Sequence, residues 1–532
     1  MLDNEAQLTR GLSPAQSQPL IGGARAYPGT SRKKKANWIW AVFPAVLVSV
    51  GLQVFSGTGV ATFFALWCTI FVFCLFAATN LSFSARLGRV DFLEAPVYLS
   101  GTCLLLINVF GLFVYFDARL YLPTLGSVDN LPLGLLLSGS GLVTLWIGYG
   151  LVSHLYRAGL TRGAKPVAPS WSLVPGVVRV LGLYLVLLVV RAWLITQGLG
   201  EALEQRIELG PWRQVILYLP DLRFPLIALV ALQVAGRRWP RYLLGVVVLC
   251  EGAIGTSTGW SSAFPKALFL IVACSVYERR RLPVRALCLF ALATVVSVPV
   301  ARTMRTADWQ SVGSVVRSLD RSAQQVWGGG YQGGWKMFSN LMIKRQSAIA
   351  QTPAIYVRTI PGVFPYRPVR ELLLAPLAFI PRNFWPSKPT YSDIAIAVTS
   401  DYLGQARGQG SSAVTMAGNA YMYGGWPVAI TAMFVLGIIL GLVYVYLALP
   451  SILTGNVGLR AVYPAFVIAT FHIGEGDLVS VLQSIVQRNA LFLAVVLVAC
   501  SWKRVAARVP VHRYAVLPRA RLQTPPAPWG AS

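Results

Sequence analysis

The chain has 532 residues, 55% of them hydrophobic and only 12% charged. Soluble proteins carry about a quarter charged residues, so this composition argues against a soluble globular enzyme. The formal net charge of +27 comes largely from Lys and Arg flanking apolar runs, as membrane topology and anionic head groups favour, and it argues against a nucleic-acid partner.

Residues 1–37 read as a disordered cytoplasmic tail rich in Gly, Ser, Pro and Gln, with no cleavable signal-peptide pattern. Apolar runs near the roughly 20 residues that cross a bilayer follow. The predicted fold class is all-α: a polytopic membrane protein of about twelve transmembrane helices with one long extracytoplasmic loop. Nine spans fill 38–301, at 38–55, 59–79, 92–116, 131–155, 172–196, 214–235, 242–258, 261–277 and 284–301. The loop takes 302–424, three further spans fall at 425–448, 460–476 and 484–501, and residues 502–532 form a second cytoplasmic tail. Sheets are not expected, because a lone span in lipid must satisfy its own backbone hydrogen bonds. All seven cysteines (68, 74, 103, 250, 274, 288 and 500) fall within or at predicted spans, so neither a disulfide framework nor a cysteine-based metal site is expected.

Short-loop basic residues set the orientation. Arg32, Lys33, Lys34 and Lys35 precede the first span, and Arg86, Arg157, Arg237, Arg279 and Lys503 recur at alternate connections. Both termini are therefore expected in the cytoplasm and the long loop outside. Three places put polar residues at membrane depth: Asp221 and Arg223; Glu251 through Ser262, with Lys266 beyond; and His472, Glu475 and Asp477, followed by Gln487 and Arg488. All three lie toward the loop side, as a polar cup would require, or as helix ends with snorkelling side chains would. Arg179 and Arg191 in the fifth span read as snorkelling side chains or packed ion pairs rather than catalytic groups.

The loop carries thirteen Lys/Arg against five acids, a surplus that topology does not require. Val312, Val315, Val316, Leu319, Ala323 and Val326 keep helical spacing and predict an amphipathic helix lying on the membrane or on the bundle. Further helices are predicted from Trp335 to Ile349 and from Val369 to Leu377. Pro381, Pro386 and Pro389 then impose an irregular segment around Arg382, Trp385 and Lys388. That cluster suits a fixed anion clamp, with the Arg382 guanidinium forking onto two phosphate oxygens, or an anchor on phospholipid head groups.

The residues Arg345-Gln346-Ser347, Pro353, Pro381-Arg382, Trp385-Pro386, Lys388-Pro389, Ser412, Thr415, Gly418-Asn419-Ala420-Tyr421 and Gly424-Gly425-Trp426 resemble the oligosaccharide repeat-unit polymerases, the Wzy-type O-antigen polymerases. Asn419 stands where that family often has Glu. Near the eighth span the chain offers Lys266 where the family often has a Gly-x-Arg. The resemblance implies a GT-C-like glycosyltransferase of the bacterial cytoplasmic membrane. It would join undecaprenyl-pyrophosphate-linked repeat units into a surface polysaccharide. Arg345, Arg382 and Lys388 would stabilise the departing pyrophosphate, with Arg358 behind them. Glu475, Asp477 or His472 would serve the acceptor hydroxyl. Trp385, Lys266, Asn419, Tyr421 and Arg488 complete the substrate-binding set. No metal or other cofactor is expected. Partners are the lipid-linked oligosaccharide, the membrane and other polysaccharide-export proteins. A ligase of the same membrane class would use the same cations, and a lipid-linked glycan flippase is the alternative from another class.

Overall fold

The computed structural model describes residues 131–161, 171–196, 219–257, 263–279, 284–304, 312–327, 351–375, 415–448, 450–451, 456–470 and 478–504, together with Leu377, Ile380 and Trp385. These are mostly helical. In lipid a helix satisfies its own backbone, and the runs between Pro and Gly breakers are long enough to form one. The helices are α1 (Leu131–Thr161), α2 (Val177–Thr196), α3 (Arg223–Ala235), α4 (Arg241–Ser257), α5 (Ala263–Arg279) and α6 (Val284–Met304). After them come α7 (Val312–Trp327), α8 (351–359), α9 (Val369–Leu374) and α10 (Met416–Tyr421). The series closes with α11 (Gly425–Val443), α12 (Val457–Thr470) and α13 (Leu478–Ala499).

Nine of the predicted spans fall on these helices, but not all at crossing length. Three helices among the described residues, rather than twelve, are long and apolar enough to cross a membrane: Leu133–Val152, Val177–Leu194 and Gly425–Ala448. The spans expected at 38–55, 59–79 and 92–116 lie outside the described residues. The sixth expected span, 214–235, shows one reason for the shortfall. A 3-10 turn at Leu219–Leu222, containing Pro220, precedes α3. The 13 residues of α3 reach only about 20 Å against a hydrocarbon core of about 30 Å.

The expectation of no sheet is corrected as well. β1 (Trp171–Pro175) and β2 (Cys500–Arg504) pair antiparallel, from Trp171 opposite Arg504 to Pro175 opposite Cys500. Pro175 and Gly176 stop α2 from extending backwards, so the strand before α2 meets the strand after α13 and each satisfies the other's backbone. The Asn456 Oδ1 accepts from the N–H groups of Leu173 and Leu459, both at 3.3 Å. It thereby ties β1 to the start of α12. An Arg460–Glu278 ion pair of 2.9 Å joins α12 to α5 at this strand end of the bundle.

At the opposite end the long basic segment enters the core. Tyr356 and Ile360, in and just after α8, belong to the same buried cluster as Phe224, Phe466 and Leu436. A Cβ on Gly134 would collide with the Ala354 backbone, and one on Gly418 would come within 2.9 Å of the Tyr356 ring. Residues 351–375 and 415–424 therefore pack against the bundle. The amphipathic helix predicted from Val312 is α7. The helix predicted at Val369 forms but ends at Leu374. The one predicted from Trp335 to Ile349 lies outside the described residues.

Glycines set the closest contact in the fold. α1 and α11 run parallel, with Gly148 against the Phe434 carbonyl, Gly437 against the Leu145 carbonyl, and Gly441 within 2.8 Å of the Val152 side chain if given a Cβ. Small residues allow this backbone approach, which in a membrane replaces hydrophobic drive with van der Waals contact. Gly437→Val is expected to force the pair apart and cost about 1–3 kcal/mol or more. Thermal unfolding of the detergent-solubilised protein reads this as a large loss of Tm; an unchanged Tm would refute the tight seam.

Candidate functional site

Charged side chains from separate stretches of sequence meet inside the helices. Glu251 of α4 is fully buried, and Arg191 of α2 and Arg223 at the start of α3 are nearly so. The Glu251 carboxylate takes three donors. Arg223 Nε lies 2.9 Å and Arg191 Nη1 3.3 Å from Oε2, while the Tyr184 hydroxyl donates to Oε1 at 3.1 Å. A buried guanidinium is expensive unless paired and hydrogen-bonded, and here one carboxylate serves two of them. Arg223 also donates to the Pro220 carbonyl, and its guanidinium lies 4.4 Å from the centroid of the Phe224 ring.

The cluster continues through the 3-10 turn. Asp221, two residues before Arg223, accepts from Arg488 Nη2 of α13 at 3.1 Å. Arg488 Nη1 donates to the Ala469 carbonyl near the end of α12. Six side chains and two carbonyls thus knit α2, the turn, α3, α4, α12 and α13 together. Among the described residues, three guanidiniums face two carboxylates.

The helix directions explain the meeting. α2, α4 and α12 bring their C-terminal halves to this end of the bundle, and α3 and α13 bring their N-terminal halves. α10 packs on both α1 and α13 here. The cluster and residues 351–375 and 415–424 therefore share one end, opposite the β1–β2 pair.

A family model described as a domain of unknown function (DUF8712) matches residues 224–446. No curated protein and no solved structure matches the chain. The matched stretch contains Glu251 and the whole basic segment, but Arg191, Arg223, Asp221 and Arg488 lie outside it. The carboxylate and its cationic partners thus come from different parts of the chain.

The sequence-predicted site residues divide into two groups. Arg345, Arg382, Lys388, His472, Glu475 and Asp477 lie outside the described residues. Of the others, Arg358 is exposed on α8, while Trp385 and Lys266 are half-buried. Arg488 is the one that joins the buried cluster. Asn419 is fully enclosed, and neither atom of its side-chain amide has a hydrogen-bond partner among the described residues. Tyr421, beside it on α10, donates to the Ile360 carbonyl at 3.4 Å. Burial, then the neighbouring Tyr366, raises the Tyr421 hydroxyl above its ordinary pKa.

Of the polar breaks predicted from sequence, the first contributes both Asp221 and Arg223, while of the second, Glu251 through Ser262 with Lys266, only Glu251 joins the cluster among the described residues. The third is represented by Arg488 alone. Sequence reasoning gave Arg191 no functional part, although a lone acid in apolar α4 demands a cation, and Arg191 stands in equally apolar α2. Tyr184 carries no such signal. Arg179, in the same helix, instead donates to Ser501 Oγ at 3.2 Å beside β2.

Removing the acid while keeping both arginines should be more damaging than any other single change here. Glu251→Leu leaves two enclosed guanidiniums uncompensated, at a cost of about 3–5 kcal/mol. Glu251→Gln keeps an acceptor and should lose less. Unfolding curves in detergent test this order, and equal Tm values for wild type and Glu251→Leu would contradict the pairing.

Proposed function

We propose that this protein is a membrane-embedded glycosyltransferase that polymerises lipid-pyrophosphate-linked oligosaccharide repeat units at the outer face of the bacterial cytoplasmic membrane. In this reading the chain crosses the bilayer about twelve times, with both termini in the cytoplasm. The observation that carries it is the arginine-rich cluster of Arg191, Arg223 and Arg488, enclosed at the end of the bundle where residues 351–375 and 415–424 pack. A fixed, enclosed set of arginines suits a substrate whose charge grows as the glycosidic bond breaks.

The chemistry assigns roles as follows. The donor's C1–O bond to pyrophosphate breaks, and the electron pair leaves on the phosphate oxygen. Arg345, Arg382 and Lys388 stabilise that oxygen, because pre-aimed cations act most strongly where charge develops. The acceptor hydroxyl attacks C1 and gives up its proton to a base, for which Glu475, Asp477 and His472 are the candidates. The Asp221–Arg488 pair and the Glu251 pairs with Arg191 and Arg223 fix the settings of the helices that carry them. Arg358, Trp385, Lys266, Asn419 and Tyr421 contact the carbohydrate or its diphosphate.

Substitution of Arg382 tests the reading. Arg382→Ala should abolish long polymer while leaving a single-repeat product, seen as glycan length on a gel at matched protein level. Arg382→Lys should rescue poorly, because an ammonium lacks the bidentate fork. Long chains retained on the lipid carrier would indicate a ligase instead, and normal-length polymer from Arg382→Ala would reject the clamp.

A further inference from the structure

The turn between α3 and α4 gathers arginines that no acid answers. α3 ends at Ala235 and α4 starts at Arg241. Arg237, Arg238 and Arg241 are exposed, and among the described residues none of them is in an ion pair. The acid beside the turn is Glu278, whose Oε1 would lie 3.4 Å from a Cβ on Gly236. Its other oxygen is held by Arg460 at 2.9 Å. The Glu278 contact places the turn at the strand end of the bundle, opposite the Glu251 cluster.

The turn is fixed by its own backbone. The N–H groups of Gly236, Arg237 and Arg238 donate to the Leu232, Val234 and Gln233 carbonyls at 2.9, 3.1 and 2.9 Å. Trp239 belongs to the buried core cluster and pins the turn from inside. Arg237 has a φ of 59°, and among the described residues it is the one non-glycine in the left-handed region. Gly236, which could adopt that conformation at no steric cost, stands one position earlier with φ −76°. A glycine at position 237 would close the same turn with less strain. An arginine kept there against the backbone preference points to a use for its side chain.

The chemistry of the turn selects the ligand. Three guanidiniums close together in sequence offer forked donors that match phosphate oxygens. Below them α4 turns apolar: Tyr242, Val246 and Leu249 follow at helical spacing and are 69%, 49% and 74% exposed. A Cβ on Gly245 would meet nothing within 4 Å, so this face is open among the described residues. The cations therefore stand at the head of an apolar stripe on one continuous helix. A soluble phosphate would use the arginines alone, whereas a lipid uses both. Tyrosine next to exposed cations at a helix end is also the pattern of a membrane–water boundary.

We propose that the α3–α4 turn is a headgroup site for an anionic phospholipid. Arg237, Arg238 and Arg241 hold the phosphate, and an acyl chain follows Tyr242, Val246 and Leu249 along α4. The site lies apart from the glycan reaction and does not depend on it.

Native mass spectrometry of the full-length, delipidated protein in detergent tests it, with added phosphatidylglycerol and phosphatidylcholine of identical dioleoyl chains as probes. Wild type should retain phosphatidylglycerol about tenfold or more above phosphatidylcholine. Arg238→Gln with Arg241→Gln should remove most of that preference, at about fivefold per arginine. Arg237→Gly should cut it by a similar factor while the Tm stays level or rises, because the backbone is relieved. Arg179→Gln is the control: this exposed arginine of the same end donates to Ser501 Oγ instead, and its loss should leave the preference unchanged. Equal retention of the two lipids by wild type, as large a loss from Arg179→Gln as from Arg237→Gly, or displacement of phosphatidylglycerol by millimolar inorganic phosphate would overturn the assignment.

Discussion

The carboxylate of Glu251 is the group on which this end of the structure depends. Arg191 and Arg223 are enclosed among apolar helices, where an unpaired guanidinium would cost several kcal/mol or draw in water. One buried acid, accepting from both and from the Tyr184 hydroxyl, makes their burial tolerable. Arg223 then stays close to Asp221, and Asp221 fixes Arg488. Each pairing fixes the angular setting of a helix. Dispersion contacts between apolar helices would leave those settings free to slide, since lipid is as apolar as the helix faces themselves.

The network also explains why α3 can be short. Pro220 lies in the 3-10 turn that precedes α3. Arg223, the first residue of α3, donates to the Pro220 carbonyl and the Glu251 carboxylate together and so anchors that end of the helix. The charged end and the strand end are thus built by different means. The strand end is tied by backbone pairing of β1 with β2, by the Asn456 side chain and by the partly exposed Arg460–Glu278 pair. The opposite end is tied by enclosed ions, and there residues 351–375 pack into the core through Tyr356 and Ile360. An arginine-rich cluster at that end is consistent with a site for an anionic, membrane-borne substrate.

Several features were legible before any coordinates. The run Val312–Val326 has unambiguous helical spacing, and α7 occupies it. The helix starting at Val369 forms because Pro368 precedes it and Glu371 follows within the first turn. Both helix identity and position along 242–301 follow from apolar runs separated by the Gly/Ser-containing stretch 258–262 and by the basic run 279–281. The length of the sixth span was misjudged because hydropathy averages over Pro220 and counts the residues on either side as one run. The pairing of β1 with β2 was invisible, since the two strands lie more than 300 residues apart and neither shows alternation strong enough to declare itself. At the candidate site, Asp221, Arg223, Glu251 and Arg488 stood out as polar groups in apolar surroundings. Arg191 did not, because one arginine in a hydrophobic helix reads equally well as a snorkelling side chain.

Composition and local pattern by themselves determined that this chain would be helical, apolar and basic, because those properties are sums over neighbouring residues. Which arginine meets which carboxylate was decided only when the helices assembled. Arg191, Arg223, Glu251 and Arg488 come from four helices, and their distances depend on the direction, length and rotation of each.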